Sequence, residues 1–346
     1  MNTEEIYGGN GKGGKMPVIK GNMKTKELIG KAESKKENLE GDEENFVEES
    51  ELNDEAISCY IKAGKIASEV RELARKIVKK DVLVIEIAEK LEEFIESKGA
   101  KPAFPIDVSC DEIAAHYSPL FQDEMKAKGL VKIDIGVSVD GFIVDTAVSI
   151  DTENLEQNKK LIEASEKALE KALAVLKPEI ELREIGKVIN EEITSSGFSI
   201  IRNLSGHSIK RYKMHAGITI PNYDNGNEWK LQDGVYAIEP FATTGEGLVQ
   251  DGKGSQVYML IEKKPTRDSF SRQVIDFIEK EYSTMPFSSR WLVKKFGNRV
   301  LFCLANLERE NILHHFTQLV EKSRMPVSQA EHTFMIHNGK IIVLTK

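Results

Sequence analysis

Two hydrophobic runs joined by a short turn form the most regular pattern in the chain. Apolar residues alternate with polar or small ones through VKIDIGVSV and again through FIVDTAVSI, over residues 131–150. Asp140-Gly141 lies between the runs, and this dipeptide favours a two-residue type I′ turn. The pattern predicts an antiparallel hairpin in which the numbers of paired residues sum to 281.

This register places two aspartates on one face of the hairpin. Asp134 lies opposite Ala147 and Asp145 lies opposite Gly136, so the two acids are diagonal neighbours with Cβ atoms about 7–8 Å apart. The reverse face is almost wholly apolar. Aspartates often only form turns, but these two lie within strands, where Asp is disfavoured. Because like charges this close repel each other, a cation between them is the better explanation.

Helical periodicity surrounds the hairpin. A long helix that Asn53 or Asp54 can cap is followed by a second amphipathic helix, which ends at Gly99. After the hairpin, one helix is closed by Pro178, another ends at Gly197, and extended segments follow. Two helices followed by strands, twice over, predict an α+β fold with internal pseudo-symmetry.

The two ends of the chain depart from this pattern. Residues 1–52 are rich in Gly, then Lys, then Glu, and have few apolar residues, so we expect a disordered polar tail before a domain over residues 53–346. From about Thr266 to Val327 the periodicity is helical, which predicts an inserted helical subdomain. The final two strands meet at Asn338-Gly339, a second hairpin signal.

Composition restricts the function classes. The chain has 346 residues, 40% hydrophobic content and a net charge of −8, which argues against general nucleic-acid binding. No apolar run approaches the roughly 20 residues that span a bilayer, and the first residues lack a secretory hydrophobic segment. Three distant cysteines indicate neither a disulfide framework nor a thiolate metal site. We expect a cytoplasmic protein.

Further candidate metal ligands and proton-transfer groups lie in short stretches downstream. His207 follows a glycine, His215 begins an extended segment, Glu239 precedes a proline, and Glu331 opens the last hairpin. Carboxylates with one imidazole suit Mn²⁺, Fe²⁺, Co²⁺ or Zn²⁺ better than a thiolate-preferring ion. Each residue alone has a more ordinary explanation in a loop, core or strand end, and spacing does not bring them together.

Five stretches carry a family resemblance through their order and approximate spacing: AFPIDVSCDEIAAHYSP, VKIDIGVSVDGFIVDTAV, NLSGHSIKRYKMHAGITIPN, AIEPFATTGEGLV and AEHT. In these stretches the chain resembles the type 2 methionine aminopeptidases, in particular archaeal ones, within the metallopeptidases of the pita-bread fold. The resemblance runs from about Asp54 to Lys346, and the helical insertion is a type 2 feature. The resemblance implies an antiparallel sheet flanked by helices, with pseudo-two-fold symmetry.

The resemblance also implies a site for two divalent metal ions, Co, Mn, Fe or Zn. The implied metal ligands are Asp134, Asp145, His207, Glu239 and Glu331. Of these, Asp145 and Glu331 would bridge the ions. The implied catalytic residues are His116, His215 and Glu239, and the implied substrate-binding residues are Phe104, His116, Met214 and His215.

The implied function is co-translational removal of N-terminal methionine from nascent proteins by a metal-activated hydroxide, favouring a small second residue. Nascent N-termini are the implied partners, with the ribosome as a further candidate, and the implied state is a monomer. The segment between Pro119 and Val131 departs from the family pattern. Alternatives are an X-Pro aminopeptidase or prolidase, which normally has a large N-terminal domain, and a non-catalytic homologue that binds RNA or protein. Such homologues typically lose metal ligands, which this chain keeps.

Overall fold

The computed structural model describes residues 52–346. This part of the chain contains seven helices. The predicted tail over residues 1–52 lies outside the described residues, apart from Leu52. The helices are α1 (Asp54–Ile77), α2 (Val84–Ser97), α3 (Glu156–Ala174), α4 (Leu182–Ser195), α5 (Ser269–Tyr282), α6 (Ser289–Phe296) and α7 (Arg299–Arg309). Asn53 caps α1, because its side-chain oxygen accepts a hydrogen bond from the Ala56 N–H at 2.9 Å.

The strands form four antiparallel sheets within residues 52–346. They are β1 (Lys101–Pro102), β2 (Asp107–Cys110), β3 (Ile113–Ala115), β4 (Leu130–Val139), β5 (Phe142–Asp151), β6 (Ser199–Ile200), β7 (Ser205–Ile209), β8 (Thr219–Pro221), β9 (Gly234–Ile238), β10 (Phe241–Thr243), β11 (Val249–Leu260), β12 (Phe287–Ser288), β13 (Leu313–Glu321), β14 (Val327–Gln329), β15 (His332–His337) and β16 (Lys340–Val343). Strand β4 pairs with β1, β2 and β5; the other sheets have the orders β14-β10-β6, β12-β11-β13-β3 and β16-β15-β9-β7-β8.

The predicted hairpin is confirmed residue by residue. Val139 pairs with Phe142 across the turn, and Asp134 pairs with Ala147. Asp140 has a φ of 52° and Gly141 a φ of 84°, as a type I′ turn requires of both central residues. The second predicted hairpin is present as well, since β15 pairs with β16 across the Asn338-Gly339 turn.

The two largest hydrophobic clusters within residues 52–346 each include one pair of long helices. Helices α1 and α2 cover the β4–β5 hairpin through a cluster that includes Val70, Leu91 and Ile133. Helices α3 and α4 contribute to a second cluster, which includes residues of β9 and β15 such as Phe334. The predicted repetition of a helix pair followed by strands is therefore present in the element order and in the core.

The segment over residues 266–327 differs in part from its predicted helical character. Helices α5, α6 and α7 form it as far as Arg309, with a hydrophobic cluster of their own. Leu313 was expected to continue the helical pattern, but it begins strand β13. The reason is long-range pairing, because β13 lies between β11 and β3 and completes the backbone hydrogen bonds of both.

No helix within residues 52–346 is long and apolar enough to cross a membrane.

Candidate metal centre

The β4–β5 hairpin supplies the first two acids of the site. The pairing of Gly136 with Asp145 puts the Asp145 carboxylate diagonally beside that of Asp134, as predicted. Asp145 is 4% exposed. Gln329, at the end of β14, donates an amide hydrogen bond to Asp134 Oδ2 at 3.1 Å. The reverse face of the hairpin is in the hydrophobic core, so the backbone beneath the acids is fixed.

Glu331 reaches the same place from the residue before β15. Its backbone N–H donates to the Ala147 carbonyl at 3.3 Å, and its own carbonyl accepts from Thr146 Oγ1 at 2.7 Å. The Glu331 side chain is almost wholly buried, and neither carboxylate oxygen has a hydrogen-bond partner within residues 52–346. A buried acid with two unsatisfied oxygens is costly unless a proton or cation binds it.

His207 and Glu239 come from the adjacent strands β7 and β9. His207 pairs with Ala237, and Glu239 directly follows β9. The two strands approach closely beside Gly206, where a Cβ would lie 2.2 Å from the Ala237 carbonyl oxygen. His207 Nε2 lies 3.6 Å from Asp145 Oδ2 and 3.9 Å from Glu239 Oε1.

These separations fit the coordination of a metal ion. Ligand atoms of Asp145, His207 and Glu331 all lie within 4.8 Å of one another. Nitrogen and oxygen ligands at about 2.0–2.2 Å from one ion are themselves about 3–4 Å apart. The distances between His207 Nε2 and the two carboxylates are of this size, and they exceed the length of a good hydrogen bond. The donor set is oxygen-rich with one imidazole, which suits a divalent transition ion.

Electrostatics also favour a cation here. Burial, followed by the charge of Asp145, raises the pKa of Asp134 well above its usual range. Burial is likewise the main cause of the raised pKa values of Asp145, Glu239 and Glu331. Burial lowers the pKa of His207 to about 4, so its imidazole is neutral at pH 7 and free to bind metal. Four crowded carboxyl groups thus need protons or cations.

The two further histidines lie beside this centre. The rings of His215 and His207 meet edge-on, with centroids 4.4 Å apart. His215 is exposed, yet loss of hydration around its ring lowers its pKa, and repulsion by the protonated forms of His207 and His116 lowers it further. Burial also lowers the pKa of His116. The Nδ1 atom of His116 lies 3.1 Å from the Thr317 carbonyl oxygen, in β13.

Two apolar side chains named from the sequence lie near these groups. A Cβ at Gly136 would lie within 2.4 Å of the Phe104 ring, so this glycine lets Phe104 lie directly against the strand between Asp134 and the turn. Met214 is 7% exposed and belongs to the same hydrophobic cluster as Phe104. The candidate metal ligands and the two histidines thus lie around one centre, and Phe104 and Met214 belong to the hydrophobic cluster that covers the same hairpin. The role of each residue remains a prediction.

Several residues of the centre were not predicted. Thr146, Thr317, Gln329 and Thr333 hold the candidate ligands or His116 through hydrogen bonds. Local sequence carries no signal for them, because Thr333 is 188 residues from the Asp145 N–H that donates to it. The sequence does contain a signal for Asp107, because this residue lies in the matched stretch AFPIDVSCDEIAAHYSP. In the structure Asp107 of β2 pairs with Asp134 of β4.

A buried cluster of carboxylates with a histidine suits a metal-dependent enzyme, and residues 58–263 match metallopeptidase family M24. The chain is 44% identical over 295 residues to a methionine aminopeptidase of Pyrococcus abyssi, and 42% identical over 295 residues to one of Methanocaldococcus jannaschii. Each alignment covers 84% of this chain and 99% of the relative. The chain therefore belongs to metallopeptidase family M24, and the resemblance to archaeal methionine aminopeptidases is confirmed.

Solved structures support the same fold. A thermophilic Arx1 superposes with a TM-score of 0.74 at 16% identity, covering 85% of this chain and 91% of that one. A methionine aminopeptidase of Thermotoga maritima superposes with a TM-score of 0.62 at 23% identity, covering 85% and 98%. At these identities the likeness concerns the fold alone, and it confirms the expected pita-bread architecture.

Proposed function

We propose that this metallo-exopeptidase removes methionine from the N-termini of nascent polypeptides, with two divalent metal ions in the centre described above. The observation that carries the proposal is the convergence of five ligand-type side chains in a chain 44% identical to an archaeal methionine aminopeptidase. In this proposal residues 53–346 are the catalytic domain, with the helical insertion at about 266–327, and residues 1–52 are a polar tail.

Five residues would hold the metal ions. Asp145 and Glu331 would bridge them, Asp134 would bind one, and His207 and Glu239 would bind the other. Bound divalent ions supply an acidified water and a Lewis acid for a carbonyl oxygen. The unpaired carboxylate oxygens of Asp134, Asp145 and Glu331 support this assignment.

His116 and His215 would act on the scissile amide. The Thr317 carbonyl can only accept a hydrogen bond, so the Nδ1 of His116 carries the proton and Nε2 is an acceptor in the neutral ring. That acceptor suits the amide N–H of the substrate. His215 would donate a hydrogen bond to the carbonyl oxygen, which gains negative charge in the transition state.

Glu239 would carry the proton between attacking water and leaving amine. Burial raises the pKa of Glu239, and the charges of Asp134 and Asp145 raise it further. This shift applies to the metal-free centre. With metal bound, one carboxylate oxygen of Glu239 would hold the ion and the other would be free to accept the proton. Glu239 is thus assigned both as a metal ligand and as a proton-transfer group.

Substrate selection would depend on apolar surface next to the centre. Phe104 and Met214 would line the pocket for the methionine side chain, and crowding beyond it would favour a small second residue. We further propose that the enzyme acts as a monomer in the cytoplasm, where nascent N-termini emerge, with the ribosome as a candidate partner.

Methionine release from Met-Ala-Ser, with Ala-Pro-Ala as comparator, tests the proposal. The protein is stripped with chelator and refilled with Co²⁺, Mn²⁺, Fe²⁺ or Zn²⁺, and metal stoichiometry is measured by elemental analysis. We expect metal-dependent release of methionine alone, with two ions per chain. Cleavage before proline would instead indicate an X-Pro aminopeptidase. Two bound ions without hydrolysis of either peptide would indicate a non-catalytic homologue.

A further inference from the structure

Asp107, in strand β2, is a buried carboxylate that the proposed mechanism does not use. It pairs directly with Asp134 of β4 and is 5% exposed. Directly paired residues on antiparallel strands have Cβ atoms about 4.5–5.5 Å apart and point to the same face of the sheet. Asp107 is therefore an immediate neighbour of a candidate metal ligand.

One oxygen of Asp107 holds the backbone of His116. Asp107 Oδ2 accepts a hydrogen bond from the His116 N–H at 2.9 Å. The adjacent residues are also joined, because the Val108 N–H donates to the Tyr117 carbonyl at 2.8 Å. His116 has a φ of 67°, a left-handed conformation that few residues other than glycine adopt. Such a conformation persists only where surrounding contacts hold it, and it occurs often at active sites.

The imidazole of the same histidine is held from the opposite strand. Its Nδ1 lies 3.1 Å from the Thr317 carbonyl oxygen, and the Phe316 ring packs edge-on against it at 5.7 Å between centroids. Thr317 fixes the ring, whereas Asp107 fixes the backbone from which the ring projects. Loss of the Asp107 contact would thus let the imidazole move relative to the metal centre.

The second oxygen of Asp107 gives independent support for a role. Oδ1 is buried and has no hydrogen-bond partner within residues 52–346. A buried unsatisfied carboxylate oxygen lowers stability, and an apolar side chain at this place would avoid that penalty. Its presence beside the candidate centre is therefore better explained by activity than by folding.

We propose that Asp107 is a positioning residue for peptide hydrolysis, which holds His116 in its left-handed conformation at a fixed distance from Asp134. This inference rests on the proposed function. It predicts that the hydrogen-bond acceptor at position 107 matters more than the negative charge. Asparagine keeps the acceptor and the shape, whereas alanine removes both.

The test compares Asp107→Asn and Asp107→Ala in the metal-loaded protein, with Met-Ala-Ser as substrate. We expect Asp107→Ala to lower kcat about 10–100-fold, with KM changed about twofold at most, the size of effect typical of lost outer-shell support. Asp107→Asn should have a kcat within about threefold of that of the unaltered protein. In a His116→Ala background, Asp107→Ala should cause no further loss, because it acts through His116.

Asp151 provides a matched control on the same sheet. Its carboxylate also accepts backbone N–H groups, from Glu153 at 3.0 Å and Leu155 at 2.6 Å, but it lies at the far end of β5. Asp151→Ala, the same substitution as the one expected to lower kcat at Asp107, should leave kcat unchanged. If Asp107→Ala does not fold, Asp107→Ser replaces it, because a serine hydroxyl is too short to reach the His116 N–H.

A second measurement does not depend on activity. In metal-free protein with ¹⁵N-labelled histidine, Asp107→Ala should shift the His116 ring signals, and Asp107→Asn should leave them nearly unchanged. Unaltered kcat and unaltered His116 signals in Asp107→Ala would overturn the inference, and so would an equal loss of kcat in the His116→Ala background. If the unaltered protein released no methionine, the proposed function would fail, and the NMR comparison would still test the position of His116.

Discussion

The hydroxyl group of Thr333 makes two hydrogen bonds to the backbone of Asp145. It accepts from the Asp145 N–H and donates to the Asp145 carbonyl, each at 2.7 Å. These bonds join β5 to β15, two strands that belong to different sheets. Glu331 immediately precedes β15, so this hydroxyl, together with the hydrogen bonds of Glu331 to Ala147 and Thr146, holds the two carboxylates that we propose to bridge the metal ions.

Replacement of Thr333 by valine tests this relationship. Valine keeps the shape but leaves the buried N–H and carbonyl of Asp145 unpaired, which costs about 1–3 kcal/mol for each group. We expect metal affinity, measured by isothermal titration calorimetry, to fall about 10–100-fold. Thr333→Ser retains the hydroxyl and should bind metal about as tightly as the unaltered protein. Equal affinity in the valine variant would show that the Asp145–Glu331 geometry does not depend on Thr333.

The local sequence pattern was sufficient to predict the hairpin and the residues that share each of its faces. The turn at Asp140-Gly141 sets the register, and the period of two then fixes which residues share a side with Asp134. The helices before residue 200 are predicted well for the same reason, because the spacing of apolar residues within each short segment is enough to identify a helix.

Long-range pairing limits what the sequence can predict. His207 and Glu331 meet Asp145 only after strands from distant parts of the chain have paired. Strand β13 was not predicted, because its pairing with β11 and β3 determines its conformation. The hydrogen bond between Thr317 of this strand and His116 was therefore not predicted either. The resemblance implied the candidate ligands, but it gave none of these supporting contacts.

Removal of a proposed ligand should abolish hydrolysis. We expect Asp134→Ala and Glu331→Ala to release methionine at less than about 1% of the normal rate and to bind fewer metal ions, because each removes a carboxylate from the centre. His116→Ala should keep its metal content and lose kcat, because His116 is not assigned as a ligand. Near-normal turnover in either carboxylate variant would contradict the assignment, and loss of metal from His116→Ala would show that His116 has a different role.

A buried ion pair attaches the helical insertion to the rest of the domain. The Arg290 guanidinium of α6, fully buried, donates to both oxygens of Glu92 in α2 at 2.8 Å. The Trp291 indole N–H also donates to Glu92, at 2.9 Å. We expect Glu92→Gln to lower the free energy of unfolding by about 3 kcal/mol, because the buried cation keeps only the more distant Glu89 carboxylate, at 3.6 Å. Urea unfolding followed by fluorescence measures the change.

Two controls separate this pair from surface pairs. Lys98→Ala breaks the exposed contact with Glu69 and should lower the free energy of unfolding far less, because solvent screens this pair. The double variant Glu92→Leu with Arg290→Met removes both charges and should recover much of the lost stability. If Glu92→Gln cost no more than Lys98→Ala, the ion pair would not be the main attachment of the insertion.

The raised pKa values in the centre have a consequence for the metal-free protein. Burial raises the folded-state pKa values of Asp134, Asp145, Glu239 and Glu331 above the ordinary values of 3.8 for Asp and 4.5 for Glu. A folded state that binds protons more tightly than the unfolded state loses stability as pH rises through the folded-state pKa values. The lowered pKa of His207 acts in the opposite direction, but only below its ordinary value of 6.5.

The midpoint temperature of thermal unfolding in chelator should therefore decrease as the pH is raised from about 6.5 to about 8. Differential scanning calorimetry in EDTA measures this decrease, and scans with saturating Mn²⁺ should show little or none of it, because the cation replaces the protons. Asp134→Asn carries no titrating group at that position, so its decrease in chelator should be smaller than that of the unaltered protein. A midpoint that stays constant or rises over this range in chelator would mean that the carboxyl groups are already ionised without metal.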